Sequence, residues 1–254
     1  MELQIKTWAR LLLVGWALAA TQLISAQGNV VEPEKPSKYV EVALEKPELI
    51  FFQGFTLGVD LFGPAQYMLS DFGCAEASLR LNLKNTYFPV AELGFARCNK
   101  IDDNTNVSYK TNAPYLRLGV DFNMLKDKFQ ENRLFLGARY GVSTYQFDIA
   151  GPPIADPVWG GSEPFSYTGI SSTSHWAEIV LGVQVKIWRN FHMGWMVRYK
   201  RELSSKESRY AKPYYIPGYG TTVNASTWGG TYSLIFDLNW GKKKWGNGVV
   251  YINN

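Results

Sequence analysis

The stretch GCAEASLRLNLKNTYFPVAELGFARC, residues 73–98, decides the fold of this chain. Small and apolar side chains occupy the odd positions of 73–83, while polar side chains such as Glu76 and Arg80 occupy the even ones. Because successive side chains of a strand leave opposite faces, this period of two predicts a β-strand. The alternation resumes after a turn at 85–87, so the stretch predicts a β-hairpin with one apolar and one polar face.

The register of this hairpin brings two pairs of polar-face residues together. With a turn at 85–87, Arg80 lies opposite Glu92 and Cys74 lies opposite Cys98. Directly opposed residues of antiparallel strands have Cα atoms about 4.5–5.5 Å apart, which overlaps the range of disulfides. In an oxidising, exported compartment we therefore predict a bridge between the two cysteines, the alternative being two opposed free thiols.

The N-terminal residues have the features of a secretory signal peptide. Lys6 and Arg10 precede the apolar run 11–20, and Ile-Ser-Ala at 24–26 offers a small-residue cleavage site. We therefore predict that residues 1–26 are a signal peptide and take no part in the fold. The alternative is an uncleaved membrane anchor, for which the apolar run is too short.

The segments that flank the patterned part of the chain differ from it in composition. Residues 27–50 contain three prolines and five glutamates, which predicts a solvated, partly ordered periplasmic lead-in. Residues 241–254 are predicted to be a periplasmic C-terminal tail. The chain of 254 residues has a formal net charge of +4, which is too weak to indicate a nucleic-acid partner.

Strand-like alternation recurs through residues 51–240, which we predict to be one barrel domain. No stretch of this region reaches the apolar length of a membrane helix, but the strands of a transmembrane barrel are only half apolar. Eight segments alternate, with leucine, valine, isoleucine and aromatic residues on one face. They are residues 53–61, 73–83, 88–98, 115–124, 134–145, 176–187, 192–200 and 231–240.

The connections between these segments are sorted by length. Short or moderate turns at one end and longer loops at the other are the signature of an outer-membrane barrel. A soluble sandwich, the alternative, gives no reason for such sorting. The sequence therefore predicts an all-β fold, an eight-stranded antiparallel transmembrane barrel with a periplasmic N-terminus. The short turns are 84–88, 125–133 and 188–191, and the longer connections are 62–72, 99–112, 146–175 and 201–227.

The polar faces of the eight segments carry matched charges. An eight-stranded barrel has an interior just wide enough for side chains to fill, so six acids and six bases predict a closed, salt-bridged lumen. The alternative is an ordinary solvated face. The acidic residues are Asp60, Glu76, Glu92, Asp121, Glu178 and Asp237, and the basic residues are Arg80, Arg117, Arg139, Lys186, Arg198 and Lys200.

Aromatic residues cluster near the ends of the predicted strands. Trp and Tyr are enriched at both membrane interfaces, so the pattern favours two interfacial girdles, although some of these residues could be core aromatics. One set is Tyr87, Phe88, Trp188, Trp195 and Trp240, and the other is Tyr115, Trp176, Tyr199 and Trp228.

Several stretches resemble a family of small outer-membrane barrels of unknown function from Bacteroides-type Gram-negative bacteria. The resemblance covers roughly residues 50–240 and implies a fold and a bacterial outer-membrane location, with no catalytic residues to transfer. It rests on YFPVAELGF (87–95), DPVWGG (156–161), HWAE (175–178), KIWRNFHMGWMVRYK (186–200) and YYIPGYG (214–220).

Little in the sequence points to chemistry. Ser174 and His175 with Glu178 form the only local set that resembles a nucleophile with its base, as a lipid A-modifying hydrolase would need. The other histidine, His192, is predicted at the opposite end of the barrel. We find no metal-ligand spacing, phosphate loop or nucleotide motif, and therefore expect no metal, no cofactor and no enzymatic activity.

Two Pro- and Gly-rich loops display aromatic residues that suit docking. Trp159 lies in GPPIADPVWGG (151–161), and Tyr214, Tyr215 and Tyr219 lie in YYIPGYG. We predict that they form one docking surface, the alternative being loops that pack over the barrel mouth. The expected partners are outer-membrane lipid and lipopolysaccharide, with another outer-membrane protein or lipoprotein. The function predicted is structural or interactive, within a larger assembly; the alternatives are the hydrolase and a narrow pore.

Overall fold

The computed structural model describes residues 39–41, 51–156, 160–205, 212–239 and 251–253. The predicted signal peptide, 1–26, lies outside the described residues. The elements are β1 (Tyr39–Glu41), β2 (Phe52–Asp60), α1 (Phe62–Leu69), β3 (Phe72–Leu83), β4 (Tyr87–Ile101), β5 (Ser108–Asn123), β6 (Arg133–Asp156), β7 (Gly161–Trp188), β8 (Phe191–Ser205), β9 (Tyr215–Ile216), β10 (Gly220–Thr221), β11 (Ser226–Asn239) and β12 (Tyr251–Asn253).

The chain divides into two compact units, which are described separately. The first comprises residues 1–48 and 243–254. Its described part is an antiparallel pair of short strands in which β1 pairs with β12. The predicted lead-in and C-terminal tail therefore each contain a strand of three residues, and their other residues lie outside the described part.

The second unit, residues 49–242, is a closed eight-stranded antiparallel barrel. The strand order is β11-β2-β3-β4-β5-β6-β7-β8, so each strand pairs with its sequence neighbour and β11 closes the ring on β2 and β8. The fold class and the number of strands predicted from the alternation are confirmed. Among the described residues, no helix is long and apolar enough to cross a membrane.

The paired residues define the stagger of the barrel. Following partners once around the ring from Asp237 returns to β11 at Thr227, a displacement of ten residues (237 minus 227). With a rise of about 3.3 Å per residue and about 4.8 Å between strands, this stagger tilts the strands by about 40°. The path runs through Thr56, Arg80, Val90, Gly119, Arg139, Glu178 and Lys200.

The exposure of side chains confirms the predicted two faces. Outward residues such as Leu93, Leu118 and Ile179 are 63%, 51% and 60% exposed, whereas inward Glu92 and Arg117 are buried. The polar face therefore lines the interior and the apolar face forms the outer surface. This polarity is the reverse of a soluble protein and fits a barrel with lipid outside.

The register of the β3–β4 hairpin differs from the prediction. Leu83 pairs with Tyr87, because Lys84 and Asn85 take left-handed backbone conformations and the turn lies one residue earlier than predicted. Every partner consequently shifts by two residues. Arg80 lies opposite Val90, and Ser78 lies opposite Glu92, so the predicted pairing of Arg80 with Glu92 is wrong.

The shift also separates the two cysteines. Cys74 pairs with Ala96 and Cys98 pairs with Phe72, which leaves the cysteines diagonal on the interior face. Both are free thiols in the structure, so the prediction of directly opposed, bridged cysteines is wrong there.

Two connections contain more regular structure than the sequence predicted. The segment 62–72 contains the helix α1, whose first turn is held by Asp60, a side chain that accepts hydrogen bonds from the amides of Phe62 and Gly63. The predicted loop 146–175 is mostly strand, because β6 and β7 continue as a paired ribbon of 24 and 28 residues.

The aromatic residues assigned to the two girdles divide between the outer surface and the interior. Tyr199 and Trp228 lie outside with their ring centroids 5.1 Å apart, and Trp195 packs against Tyr232 in a tilted arrangement with centroids 4.2 Å apart. Tyr115, Trp176 and Phe88 are instead buried, because their positions on the strands face the interior. The side chain of Trp240 lies outside the described residues.

A charge placed on the apolar outer surface should destabilise the barrel according to its depth. Leu118→Arg should lower the free energy of unfolding in lipid by about 2–4 kcal/mol, the cost of an arginine facing the bilayer midplane. Thr144→Arg, also outward but beyond the apolar belt, should change it by less than about 0.5 kcal/mol. Urea titration followed by heat-modifiable gel mobility measures both. Equal losses would contradict the lipid-facing assignment.

Candidate functional site

The centre of the barrel is a network of buried ion pairs organised around Glu92. Its carboxylate accepts from Arg198 Nη1 at 2.6 Å and Arg117 Nη1 at 3.1 Å, and lies 3.3 Å from Arg139 Nε. The side chain of Glu92 is completely buried. Three guanidinium groups on three different strands, β5, β6 and β8, therefore converge on one carboxylate of β4.

The remaining acidic residues of the centre pair with these three arginines and with Arg80. Glu76 contacts Arg117 at 2.5 Å and Arg198 at 3.0 Å, and Glu178 lies 2.9 Å from Arg117 Nε and 3.3 Å from Arg198 Nη1. Asp121 receives Arg139 Nη1 at 2.8 Å and lies 3.2 Å from Arg80 Nε. Because unpaired charges are costly to bury, the network is stable only as a whole.

A second interior cluster lies nearer the end of the barrel that carries the short turns. Arg133 donates from Nη2 to Asp237 at 2.8 Å and from Nε to the side-chain oxygen of Asn85 at 2.9 Å. Thr56 donates to the other oxygen of Asp237 at 2.9 Å, and His192 Nε2 lies 3.9 Å from this carboxylate. The sequence analysis missed Arg133, although its odd position places it on the same face as Arg139.

Nine of the twelve residues predicted to line the lumen, together with the added Arg133, form these interior ion pairs. The other three are Lys200, which donates to backbone carbonyls at the barrel mouth, Lys186 and Asp60. Lys186 pairs with Glu131, and both side chains are partly exposed, so this pair belongs to the rim. Asp60 faces inward but holds the first turn of α1 and the amide of Tyr232. Those two assignments are wrong because the strand ends meet a turn and a helix.

Above the network, residues 212–221 fold into the barrel mouth as a plug. The carbonyl of Gly218 accepts from Arg117 Nη2 at 2.8 Å and from Lys200 Nζ at 2.7 Å, and Lys200 also donates to the carbonyl of Tyr219 at 3.1 Å. The plug contains β9 and β10, which pair with each other. It therefore brings backbone carbonyls to two cations that are buried inside the barrel.

The plug is wrapped by interior aromatic residues. Tyr219 packs against Trp176 with ring centroids 6.1 Å apart, and Tyr109 donates its hydroxyl to the carbonyl of Tyr215 at 2.8 Å. Tyr115 lies under Gly218, which has a φ of +81°. These contacts form an apolar core at the loop end, with Trp176, Tyr219 and Ile216 almost fully buried.

The predicted docking surface is not assembled. Tyr215 and Tyr219 are buried, and Tyr214 is partly buried with its hydroxyl accepting from Lys100 Nζ at 3.0 Å. Residues 212–221 pack over the mouth, which was the alternative interpretation of the loops, whereas 151–156 belong to the extended β6–β7 pair. Trp159 lies outside the described residues.

The set considered for a hydrolase is also separated. Ser174 is fully buried and bonds to Tyr145 and Ser205, whereas His175 points outward and bonds to the hydroxyl of Tyr140 at 3.0 Å. Adjacent residues of a strand leave opposite faces, so this serine and histidine cannot act together. Within the described ranges, no group of His, Cys, Asp or Glu is arranged to hold a metal ion.

An apolar exterior and a filled, charged interior define a protein of the transmembrane β-barrel class. The chain belongs to the family described as a domain of unknown function (DUF6048), which matches residues 9–243. The expected family of unknown function is thereby confirmed, and the Bacteroides-type origin stays a prediction.

Two solved structures are similar to this chain. Neisserial surface protein A (NspA) has 14% sequence identity and a TM-score of 0.35, covering 72% of this chain and 96% of NspA. Ail, the attachment invasion locus protein of Yersinia pestis, solved with the heparin analogue sucrose octasulfate, has 12% identity and a TM-score of 0.33, covering 73% and 94%. The search of curated proteins found no match.

Removing the central carboxylate should destabilise the barrel far more than removing a rim charge. Glu92→Gln leaves three buried guanidinium groups undercompensated and should cost about 3–5 kcal/mol of unfolding free energy. Lys186→Gln breaks a partly exposed pair and should cost less than about 1 kcal/mol. Denaturant unfolding in detergent micelles compares them. Adding Arg198→Gln to Glu92→Gln should cost less than the sum of the single losses; strict additivity would show that the two residues do not interact.

A methyl group on Gly218 should displace the plug. A Cβ there would lie 2.5 Å from the ring of Tyr115, so Gly218→Ala should cost about 1–3 kcal/mol of unfolding free energy and make the plug more susceptible to limited proteolysis. Gly160→Ala is the matched control, since its φ is also positive (+67°) but nothing lies within 4 Å. In the wild type and the control, the plug should resist cleavage. A Gly218→Ala variant that is equally resistant and fully stable would show that this contact does not hold the plug.

Proposed function

We propose that this chain is a closed barrel of the bacterial outer membrane, a non-enzymatic structural or interaction protein that binds a partner through the ribbon formed by β6 and β7. The observation that carries the proposal is that the interior is occupied at its centre and at its loop-end mouth. Ion pairs fill its centre and the plug fills its mouth. A barrel without a free lumen offers only its outer surface and its projecting segments for function.

The outer surface supports the membrane location. Exposed apolar side chains run around the described strands, and a continuous belt of this kind is an aggregation hazard in water but the normal surface of a barrel in lipid. The predicted signal peptide supports export, and closure of the sheet into a ring leaves no open edge strand in the barrel, as a bilayer requires.

The ribbon of β6 and β7 continues past the described pairing of these strands with their other neighbours. The pairing of β6 with β5 ends at Ala150, and the pairing of β7 with β8 ends at Ser174. Beyond these residues, and within the described part of the chain, 151–156 pair only with β7 and 161–173 pair only with β6. The outer edges of the ribbon are therefore not covered by any other described strand.

The two edges of the ribbon differ. Pro152 and Pro153 remove amide donors from the β6 edge, whereas residues 165–173 of β7 contain no proline. Ile154 and Tyr167 are 62% and 42% exposed, and Phe165 packs edge-to-face on Tyr167. A strand edge without proline, beside exposed apolar and aromatic side chains, suits the addition of a strand from a partner protein.

Shortening the ribbon should abolish partner binding without unfolding the barrel. We expect a variant with residues 151–165 replaced by Asn-Gly to fractionate with outer membranes and keep heat-modifiable mobility. Its cross-linked partner should disappear after mild-detergent purification. The matched control deletes residues 103–106 from the β4–β5 turn, another loop-end segment, and should keep the partner.

Two outcomes would contradict separate parts of the proposal. Recovery of the same partner by the shortened variant would exclude the ribbon as the binding element. Failure of the wild type to fractionate with outer membranes would exclude the location, whatever the ribbon does.

A further inference from the structure

The outer surface of the barrel carries a polar groove immediately beyond the apolar belt. On β4 and β5 the apolar pair Phe95 and Pro114 is followed, toward the loop end, by Arg97 opposite Asn112. The next outward pair in the same direction is Asn99 opposite Lys110. The surface thus changes from apolar to cationic within one pair of positions.

The groove originates in an interruption of the strand ladder. Backbone pairing between β5 and β6 stops at Thr111 and resumes at Leu116. Pro114 has no amide to donate, and two hydroxyls replace the missing contacts: Thr111 donates to the carbonyl of Gln146 at 2.8 Å and Ser143 donates to that of Pro114 at 2.9 Å. The opened strands border a cavity of about 370 Å³.

The lining of this cavity has the composition of an anion site. Arg97 and Lys110 face outward beside the amide side chains of Asn99, Asn112 and Gln146, with one acid, Asp148. The carboxylate of Asp148 is engaged, since it accepts from the backbone amide of Gly169 at 2.7 Å. Cations and amide donors together match the oxygens of a phosphate group.

Neither cation forms a salt bridge with a carboxylate of the described residues, in contrast to every arginine of the lumen centre. Lys110 lies opposite Asp148 on the β5–β6 ladder, and that carboxylate accepts from the amide of Gly169. Arg97 lies over the ring of Tyr67 in α1 with its Cζ 4.1 Å from the centroid, a cation–π contact that holds the guanidinium on the outer surface. Arg97 and Lys110 are diagonal neighbours on the ladder, about 7–8 Å apart at Cα, a spacing that one bridging phosphate can span.

We propose that this groove binds the phosphorylated headgroup of a glycolipid of the surrounding outer leaflet. Arg97 and Lys110 bind a phosphate, and the amide side chains bind sugar hydroxyls. The position favours a lipid over free phosphate, because the belt residues Phe95 and Leu93 continue directly below the cations and provide a surface for acyl chains. The inference rests on the proposed membrane location but not on the partner-binding ribbon.

The test is native mass spectrometry of the folded full-length protein in detergent micelles, titrated with lipid A as the probe. Wild type should retain one lipid, and R97E/K110E should bind it at least about tenfold more weakly, since two charge-assisted contacts are lost. The matched control is Arg201→Glu, an outward cation at the loop end of β8. It should bind lipid A like the wild type.

Two further titrations test whether the phosphate groups are recognised and whether the ligand is a lipid or free phosphate. The wild type should bind lipid A that lacks its phosphates about as weakly as R97E/K110E binds intact lipid A. Millimolar inorganic phosphate should not displace the intact lipid from the wild type. Equal binding by wild type and R97E/K110E, or unchanged binding of the dephosphorylated lipid, would overturn the site. Displacement by inorganic phosphate would overturn the lipid source. Heat-modifiable mobility of every variant shows that the barrel is intact, so these outcomes leave the membrane location untouched.

Discussion

The structure depends on the requirement that every charge inside a narrow barrel be paired. Eight strands staggered by ten residues leave an interior that side chains alone fill, and water cannot solvate a charge there as it would on a surface. Glu92 shows the consequence, because it is compensated by arginines from three other strands. Each such contact fixes the relative position of two strands, so the ion pairs and the register support each other.

The plug follows from the same requirement. After the carboxylates of Glu76, Glu92 and Glu178 are distributed among the arginines, Lys200 and one edge of Arg117 still point toward the mouth. The carbonyl of Gly218 satisfies both. Polar contacts therefore hold this loop inside the barrel mouth, and its aromatic residues are buried there.

The sequence was sufficient for the parts of the fold that depend on alternation. It predicted eight strands, the inward and outward faces, and most of the residues of the network, because a period of two reports direction at each position independently. It failed where the position of a turn must be known to within one residue. The turn at Lys84 and Asn85 requires left-handed conformations that alternation does not encode, and that displacement changed both the partner of Arg80 and the relation of the cysteines.

The interior contacts of the plug could not be predicted for a different reason. Tyr214, Tyr215 and Tyr219 lie in a segment without periodicity, and exposed and buried aromatic loops have the same composition. Their burial is set by Arg117 and Lys200, which are distant in sequence. By contrast, strand parity and the pairing of β4 with β5 are enough to place Arg97 and Lys110 outside the barrel. Neither forms a salt bridge with a carboxylate of the described residues, whereas the lumen arginines do, and the proposed phosphate site rests on this contrast together with the amide side chains beside the two cations.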